Sequence, residues 1–151
     1  MSTVLAAEKA LIGRGITGPV SVRIEDGRIA EVTQAPTGDP RPGLLTPGLV
    51  DIQVNGAFGV DFAEIDDDGM RRIVRGLPRT GVTRFLPTLI TADLAQQLDQ
   101  ARLLTSVMST VDGPGARPLG VHLEGPFLST KRPGVHDPGL MVPPTPERVD
   151  A

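Results

Sequence analysis

Two periodicities divide this chain. Through residues 1–45 apolar side chains alternate with polar ones, the pattern of short strands that each bury one face. Val20, Val22 and Ile24 alternate with Ser21 and Arg23, Glu25-Asp26-Gly27 makes a turn, and Arg28 to Thr33 returns. With those three residues as the loop and Gly27 left-handed, Val22 pairs with Ala30 and Val20 with Val32. The apolar side chains then share a face. Pro36 to Pro42 reads as a polar, Gly/Pro-rich linker that closes this section.

Beyond the linker the period lengthens. Leu49 to Asn55 is a short strand introduced by Thr46-Pro47-Gly48 and ended by Gly56. Asp66 can cap a helix whose Met70, Ile73, Val74 and Leu77 form one stripe, with Pro78 and Gly81 ending it. Val82 to Thr88 is a second strand. Thr91 is placed to cap a longer helix carrying Leu94, Leu98, Ala101, Thr105 and Met108, which Asp112-Gly113-Pro114-Gly115 breaks. Leu119 to Phe127 is the third strand. Strand–helix–strand–helix–strand at this spacing predicts parallel βαβ units and an α/β fold. A closed (β/α)₈ barrel takes about 250 residues, so three strands make part of one, or an open α/β domain. At the other end Thr145 looks like an N-cap with Pro146 and Glu147 in a first turn. A helix is expected to begin there, with no body to follow.

Composition narrows the chemistry. The 151 residues carry 15 basic and 18 acidic side chains, a net charge of -3, and only 3% aromatics. Neither the basic footprint nor the stacking platforms of a nucleic-acid binder are present. There is no cysteine, so thiolate nucleophiles, disulfides and thiolate metal sites are excluded. No stretch approaches membrane-spanning length, and the expectation is a cytoplasmic protein with no nucleic-acid or membrane partner.

Candidate chemistry collects at the third strand. His122 and Glu124 lie two apart, so their side chains share a face, and Gly125-Pro126 leaves Glu124 at the strand's end. The loop that follows contains Lys131, Arg132 and His136. In parallel folds active groups gather beyond the carboxyl ends of strands, where Gln53, Asn55, Thr88 and Glu124 all fall. On spacing alone Glu124 is either a metal ligand or a carboxylate tied to loop amides. His122, one layer deeper, suits support of a ligand better than ligation. Gln53 and Asn55 read as polar side chains fixing a loop, His136 as an exposed loop residue, and Lys131-Arg132 as an anion site or a solvated pair.

Larger motifs then carry a resemblance. Leu45-Thr46-Pro47-Gly48-Leu49-Val50-Asp51-Ile52-Gln53-Val54-Asn55-Gly56 resembles the first barrel strand of the amidohydrolase superfamily. Its Gln-x-Asn, where most relatives carry His-x-His, is similar to the N-acetylglucosamine-6-phosphate deacetylase family. Gly81 to Thr88, and His122-Leu123-Glu124-Gly125-Pro126-Phe127 followed by Gly134-Val135-His136-Asp137-Pro138, match that family as well. The resemblance implies a small β-sandwich segment over residues 1–45 and the first three strands of an incomplete (β/α)₈ amidohydrolase barrel over residues 46–151. It implies Glu124 as a metal ligand, Val135 and His136 as substrate contacts, and Gln53, Asn55 and His122 as supporting or vestigial metal-site positions. The implied cofactor is one divalent metal ion, with zinc the expected identity, because neutral amides at Gln53 and Asn55 substitute poorly for imidazole. The implied reaction converts N-acetyl-D-glucosamine 6-phosphate to D-glucosamine 6-phosphate and acetate, in amino-sugar catabolism, by an enzyme expected to be a homodimer. No catalytic residue is assigned in these 151 residues, since the family's general-base aspartate and histidine ligands are expected downstream. The chain is therefore expected to be a truncated part of the enzyme and inactive alone.

Three other readings stand beside this one. A cyclic-amide hydrolase of the same superfamily needs the His-x-His that Gln53-x-Asn55 does not supply. A non-catalytic sugar-phosphate-binding or assembly module would keep the scaffold without the metal. A fragment with open sheet edges would aggregate.

Overall fold

A computed structural model describes every residue except Ala35, Thr37 and Ala151. It divides into two compact units, Met1–Pro47 and Gly48–Ala151.

The first unit is one five-stranded sheet. Its strands are β1 (Ser2–Ile12), β2 (Gly15–Thr17), β3 (Val20–Glu25), β4 (Arg28–Thr33) and β5 (Arg41–Leu45). The order is β2-β1-β3-β4 with antiparallel neighbours, and β5 pairs with β1 in parallel. The predicted strands are there, although β1 is long rather than short, and a second facing sheet is absent among the described residues. The β3–β4 register differs from the expectation. Glu25 pairs with Arg28, which leaves only Asp26-Gly27 as the loop, with φ of 49° and 75°. Positive φ at both positions is the two-residue turn whose twist suits a hairpin, and Asp-Gly favours it. The register then shifts after Arg23, Ala30 is skipped, and Val22 faces Val32 rather than Ala30. Strand β5 starts at Arg41, inside the predicted linker, of which Thr37 lies outside the described residues.

The second unit is a parallel sheet with helices on one face. Strands β6 (Leu49–Val54), β7 (Val82–Ile90), β8 (Arg117–Pro118) and β9 (His122–Glu124) all run parallel, with β7 central. Helix α1 (Asp67–Gly76) starts as predicted, with the Asp66 carboxylate accepting from the Gly69 N–H at 2.7 Å. A 3₁₀ turn, Leu77–Thr80, ends it at Gly81, whose φ is 86°. The core joins Phe62, Met70, Ile73, Val74, Leu104 and Val107 to the sheet residues Val54, Val82, Phe85 and Leu89. The Phe62 and Phe85 rings stack at 6.3 Å. On the sheet itself Val50, Ile52, Ile90 and Leu123 remain exposed.

Helix α2 (Leu94–Thr110) departs from expectation at its start and on its face. Its cap is Asp93, which accepts from the Ala95 N–H at 3.0 Å, and not Thr91. Its buried residues are Gln97, Leu104 and Val107, flanked by Ala101 and Met108, while Thr105 is exposed. The two stripes share Ala101 and Met108. The true one was hidden by Gln97, a polar residue that is buried because its amide donates to the Ile90 carbonyl at 3.0 Å.

The third strand is broken, not continuous. Phe85 pairs with Pro118 and Thr88 with His122. Three steps along β7 therefore match four steps along the third strand, so Leu119-Gly120-Val121 holds one extra residue, a bulge. After the site loop, α3 (Pro146–Val149) begins after Thr145 as predicted, although the Thr145 side chain accepts no cap bond. Among the described residues no helix is long and apolar enough to cross a membrane.

Candidate active site

The site forms where β6 and β9 end on either side of β7. In register, His122 lies beside Thr88 and Glu124 beside Ile90. The period of two keeps His122 and Glu124 on one face, as the spacing predicted. Glu124 is the last residue of β9. Its Oε2 accepts from the Asn55 side-chain amide at 3.0 Å, so the polar residue just past the first parallel strand holds the carboxylate at the end of the third.

Gly125 enforces the break after Glu124. Its φ is 97°, and a Cβ there would collide with the Thr91 hydroxyl oxygen. That hydroxyl donates to the Glu124 carbonyl at 3.0 Å. The buried Thr91 thus fixes the Glu124 backbone while Asn55 fixes its side chain.

The following loop folds back on itself. Its base is closed by the Val142 N–H donating to the Pro126 carbonyl at 3.1 Å, and a turn in which the His136 N–H donates to the Pro133 carbonyl sets His136 inward. The His136 imidazole Nε2 stands 3.5 Å from Glu124 Oε1, an ion pair when the ring is protonated. The His136 side chain is only 9% exposed and that of Glu124 28%. The expectation of an exposed His136 is corrected. Closure of the loop, which spacing does not reveal, brings its ring to the carboxylate.

The remaining candidates sort by their partners. His122 Nδ1 lies 2.9 Å from the Ile52 carbonyl oxygen, the tie to a backbone carbonyl expected of a supporting histidine. Facing a carbonyl oxygen, Nδ1 is the donor in this bond. The Thr88 hydroxyl is 3.5 Å from the same nitrogen. Gln53 is exposed and its side chain makes no hydrogen bond among the described residues, where only the Asn55 amide reaches Glu124. Val135 is 94% exposed and can meet a ligand only through solvent-facing atoms. Lys131 and Arg132 are both exposed. Beside the site lies a cavity of about 310 Å³ lined by Asn55, Asp61, Thr88, Thr91 and Gln100.

Two supporting residues escaped the sequence. Thr91 carried a signal, misread as a helix cap, and Gln97 carried none. The Gln97 Oε1 is buried without a partner among the described residues, while its Nε2 anchors the Ile90 carbonyl beside Glu124.

These residues fit part of a divalent-metal site and not the whole of one. Glu124 and His136 offer one carboxylate and one imidazole, and among the described residues no group of three His, Cys, Asp or Glu side chains converges. A zinc site takes about three protein ligands when catalytic and four when structural.

No protein-family model matches the chain. The N-acetylglucosamine-6-phosphate deacetylase of Bos taurus is 38% identical over 128 residues, which are 82% of this chain and 30% of that protein. The N-acetylgalactosamine-6-phosphate deacetylase of Escherichia coli O157:H7 is 33% identical over 142 residues, 93% of this chain and 37% of that one. Among solved structures, N-acetyl-D-glucosamine-6-phosphate deacetylase from Mycobacterium smegmatis superposes with a TM-score of 0.75 at 33% identity. It covers 97% of this chain, which spans 42% of it. The Thermotoga maritima N-acetylglucosamine-6-phosphate deacetylase gives a TM-score of 0.77 at 28% identity, covering 98% of this chain and 39% of its own. The chain spans about a third of the length of the relatives it matches. By sequence and by fold, this chain belongs to the N-acetylglucosamine-6-phosphate deacetylase family.

Proposed function

We propose that the chain is the first part of an enzyme that hydrolyses the acetamide of N-acetyl-D-glucosamine 6-phosphate, releasing acetate and D-glucosamine 6-phosphate. The observation that carries this is the placement of Glu124, held between Asn55 and His136 at the ends of parallel strands in a chain of this family. In this reading residues 46–151 open a (β/α)₈ barrel and residues 1–45 supply strands of a small β-sandwich. The helices cover one face of the parallel sheet, and the exposed Val50, paired with Arg84 on the side away from Phe85, suits a barrel interior. The whole enzyme is a cytoplasmic dimer.

Glu124 serves as one ligand of a single divalent metal, zinc by preference, with the remaining ligands supplied by other parts of the enzyme. Such a metal supplies an activated water and polarises the amide carbonyl. Asn55 aims the carboxylate, and His122 with Thr91 and Thr88 holds the strand ends that present it. Val135 and His136 approach the amino-sugar, with the largely buried His136 ring the more constrained contact. Similarity to an N-acetylgalactosamine-6-phosphate deacetylase over 93% of the chain supports a second substrate, the C4 epimer with the same acetamide and phosphate.

The test is a transplant. Residues 48–142 replace the matching segment of the Mycobacterium smegmatis enzyme, and acetate release is measured with both epimers. Activity should survive. Glu124→Ala should then cost more than the roughly 10–100-fold expected on losing a residue that only supports a ligand, and Asn55→Leu should fall within that range. An active transplant indifferent to Glu124→Ala would remove the ligand role. The 151-residue chain supplied with zinc should release no acetate.

A further inference from the structure

Helix α1 turns a strongly basic side away from the core. A groove of about 670 Å³ runs along it, lined by Phe58, Asp68, Arg71, Arg72, Arg75 and Arg79. None of these belongs to the candidate active site, and four arginines in one groove oppose a chain whose net charge is -3. Arg71 is partly neutralised, its Nη2 lying 3.1 Å from Asp68 Oδ1. The side chains of Arg72, Arg75 and Arg79 make no hydrogen bond or ion pair among the described residues.

Their spacing is unfavourable without an anion. Arg71 and Arg75 are four apart and Arg72 and Arg75 three apart, so like charges meet along one side of the helix, and Arg79 joins them from the 3₁₀ turn that follows. Guanidinium forks bind phosphate oxygens in pairs, which a point charge cannot do. The groove also has an aromatic wall. Phe58 lies 46% exposed, with a left-handed φ of 56° that a bulky residue seldom adopts. Its ring sits so closely on Gly76 that a Cβ there would collide with it. The glycine lets the ring lie against the helix, among the arginines.

We infer that this groove binds a small molecule carrying both a diphosphate and a planar ring, a nucleoside diphosphate being the simplest example. Arg72, Arg75 and Arg79 grip the phosphates, Asp68 holds Arg71 in orientation, and Phe58 receives the ring. The volume lies within the usual range for small-molecule sites, roughly 300–1,000 Å³.

Calorimetric titration of the 151-residue chain with ADP, inorganic pyrophosphate and adenosine tests this at fixed salt. ADP should bind more tightly than pyrophosphate, and adenosine should not bind measurably. Arg72→Lys with Arg75→Lys keeps the charge and removes the forks, and should weaken ADP and pyrophosphate by about tenfold or more. Phe58→Leu keeps an apolar contact on Gly76 and should bring ADP down to the pyrophosphate level while leaving pyrophosphate unchanged. Three results would each overturn the inference. They are no ADP binding at millimolar concentration, ADP no tighter than pyrophosphate, or full affinity in the double lysine variant, which would indicate unspecific attraction of anions.

Discussion

Asn55 holds Glu124 through one amide hydrogen, and its loss is a local matter. The carboxylate keeps some access to water, so Asn55→Leu should destabilise the chain by only about 1 kcal/mol. Urea unfolding would show this as a lower midpoint at unchanged slope. Gly125 is less forgiving. Any side chain there meets both a left-handed backbone and the Thr91 hydroxyl, so Gly125→Ala should cost about 2 kcal/mol or more. Adding Thr91→Ala should recover the part due to the clash, and the same unfolding measurement on the double variant separates the two. At this scale the sequence was legible where chemistry is intrinsic to the residue. Glu124 declared itself by ending a strand before Gly-Pro, and His122 by its depth. Thr91 and Gln97 did not, because what they do depends on which carbonyl lies within reach. For Thr91 that carbonyl is 33 residues away.

Elements were legible in their kind and order, less so in their faces. The order of the βαβ pieces was readable from period, yet the cap of α2 and the break in the third strand were not, and the buried side of α2 was misassigned because Gln97 looked like surface. The structure makes that difference measurable. Leu104 is fully buried and Thr105 exposed, so Leu104→Ala should cost about 2–5 kcal/mol and Thr105→Ala less than about 0.5 kcal/mol. Equal costs in thermal unfolding would restore the original stripe. The short α3 should respond to acid. Its own backbone N–H and the Thr145 hydroxyl favour the charged Glu147, holding that carboxyl below its ordinary value of 4.5. A carboxyl depressed on folding stabilises above its unfolded value and loses that contribution as pH falls through the folded one. Helical NMR shifts over residues 146–149 should therefore persist at neutral pH and fade only once the pH falls below the ordinary value of 4.5.

Each unit keeps apolar surface in contact with water. Ile29 and Val32 are exposed in the first, and Leu49, Val50, Ile52, Ile90 and Leu123 in the second. Exposed apolar surface favours association. Sedimentation of the 151-residue chain should show a mass that rises with concentration, and Ile52→Lys with Leu123→Lys should suppress the rise. A strictly monomeric wild type would contradict this. How these faces are covered in a longer protein was outside the reach of periodicity, which shows that a strand has an apolar side but not what rests on it. The family's shared motifs carried the sequence reading further than its physical patterns did. The expectations of Glu124 as a metal ligand and His136 as a substrate contact came from matched motifs, while the closeness of the two side chains and the arginine groove on α1 became visible only in the structure.

The extra residue at Leu119-Gly120-Val121 has a consequence of parity. Pro118 shares the helix-facing side with its partner Phe85, and in an unbroken strand His122 and Glu124, an even number of steps on, would keep to that side. The bulge reverses odd and even. It places His122 and Glu124 with Thr88 on the opposite side and leaves the Phe85 side to the core. The location of the chemistry therefore depends on a count as much as on a residue type. Removal of any one residue from 119–121, whichever it was, would exchange the roles of Leu123 and Glu124 without altering either of them.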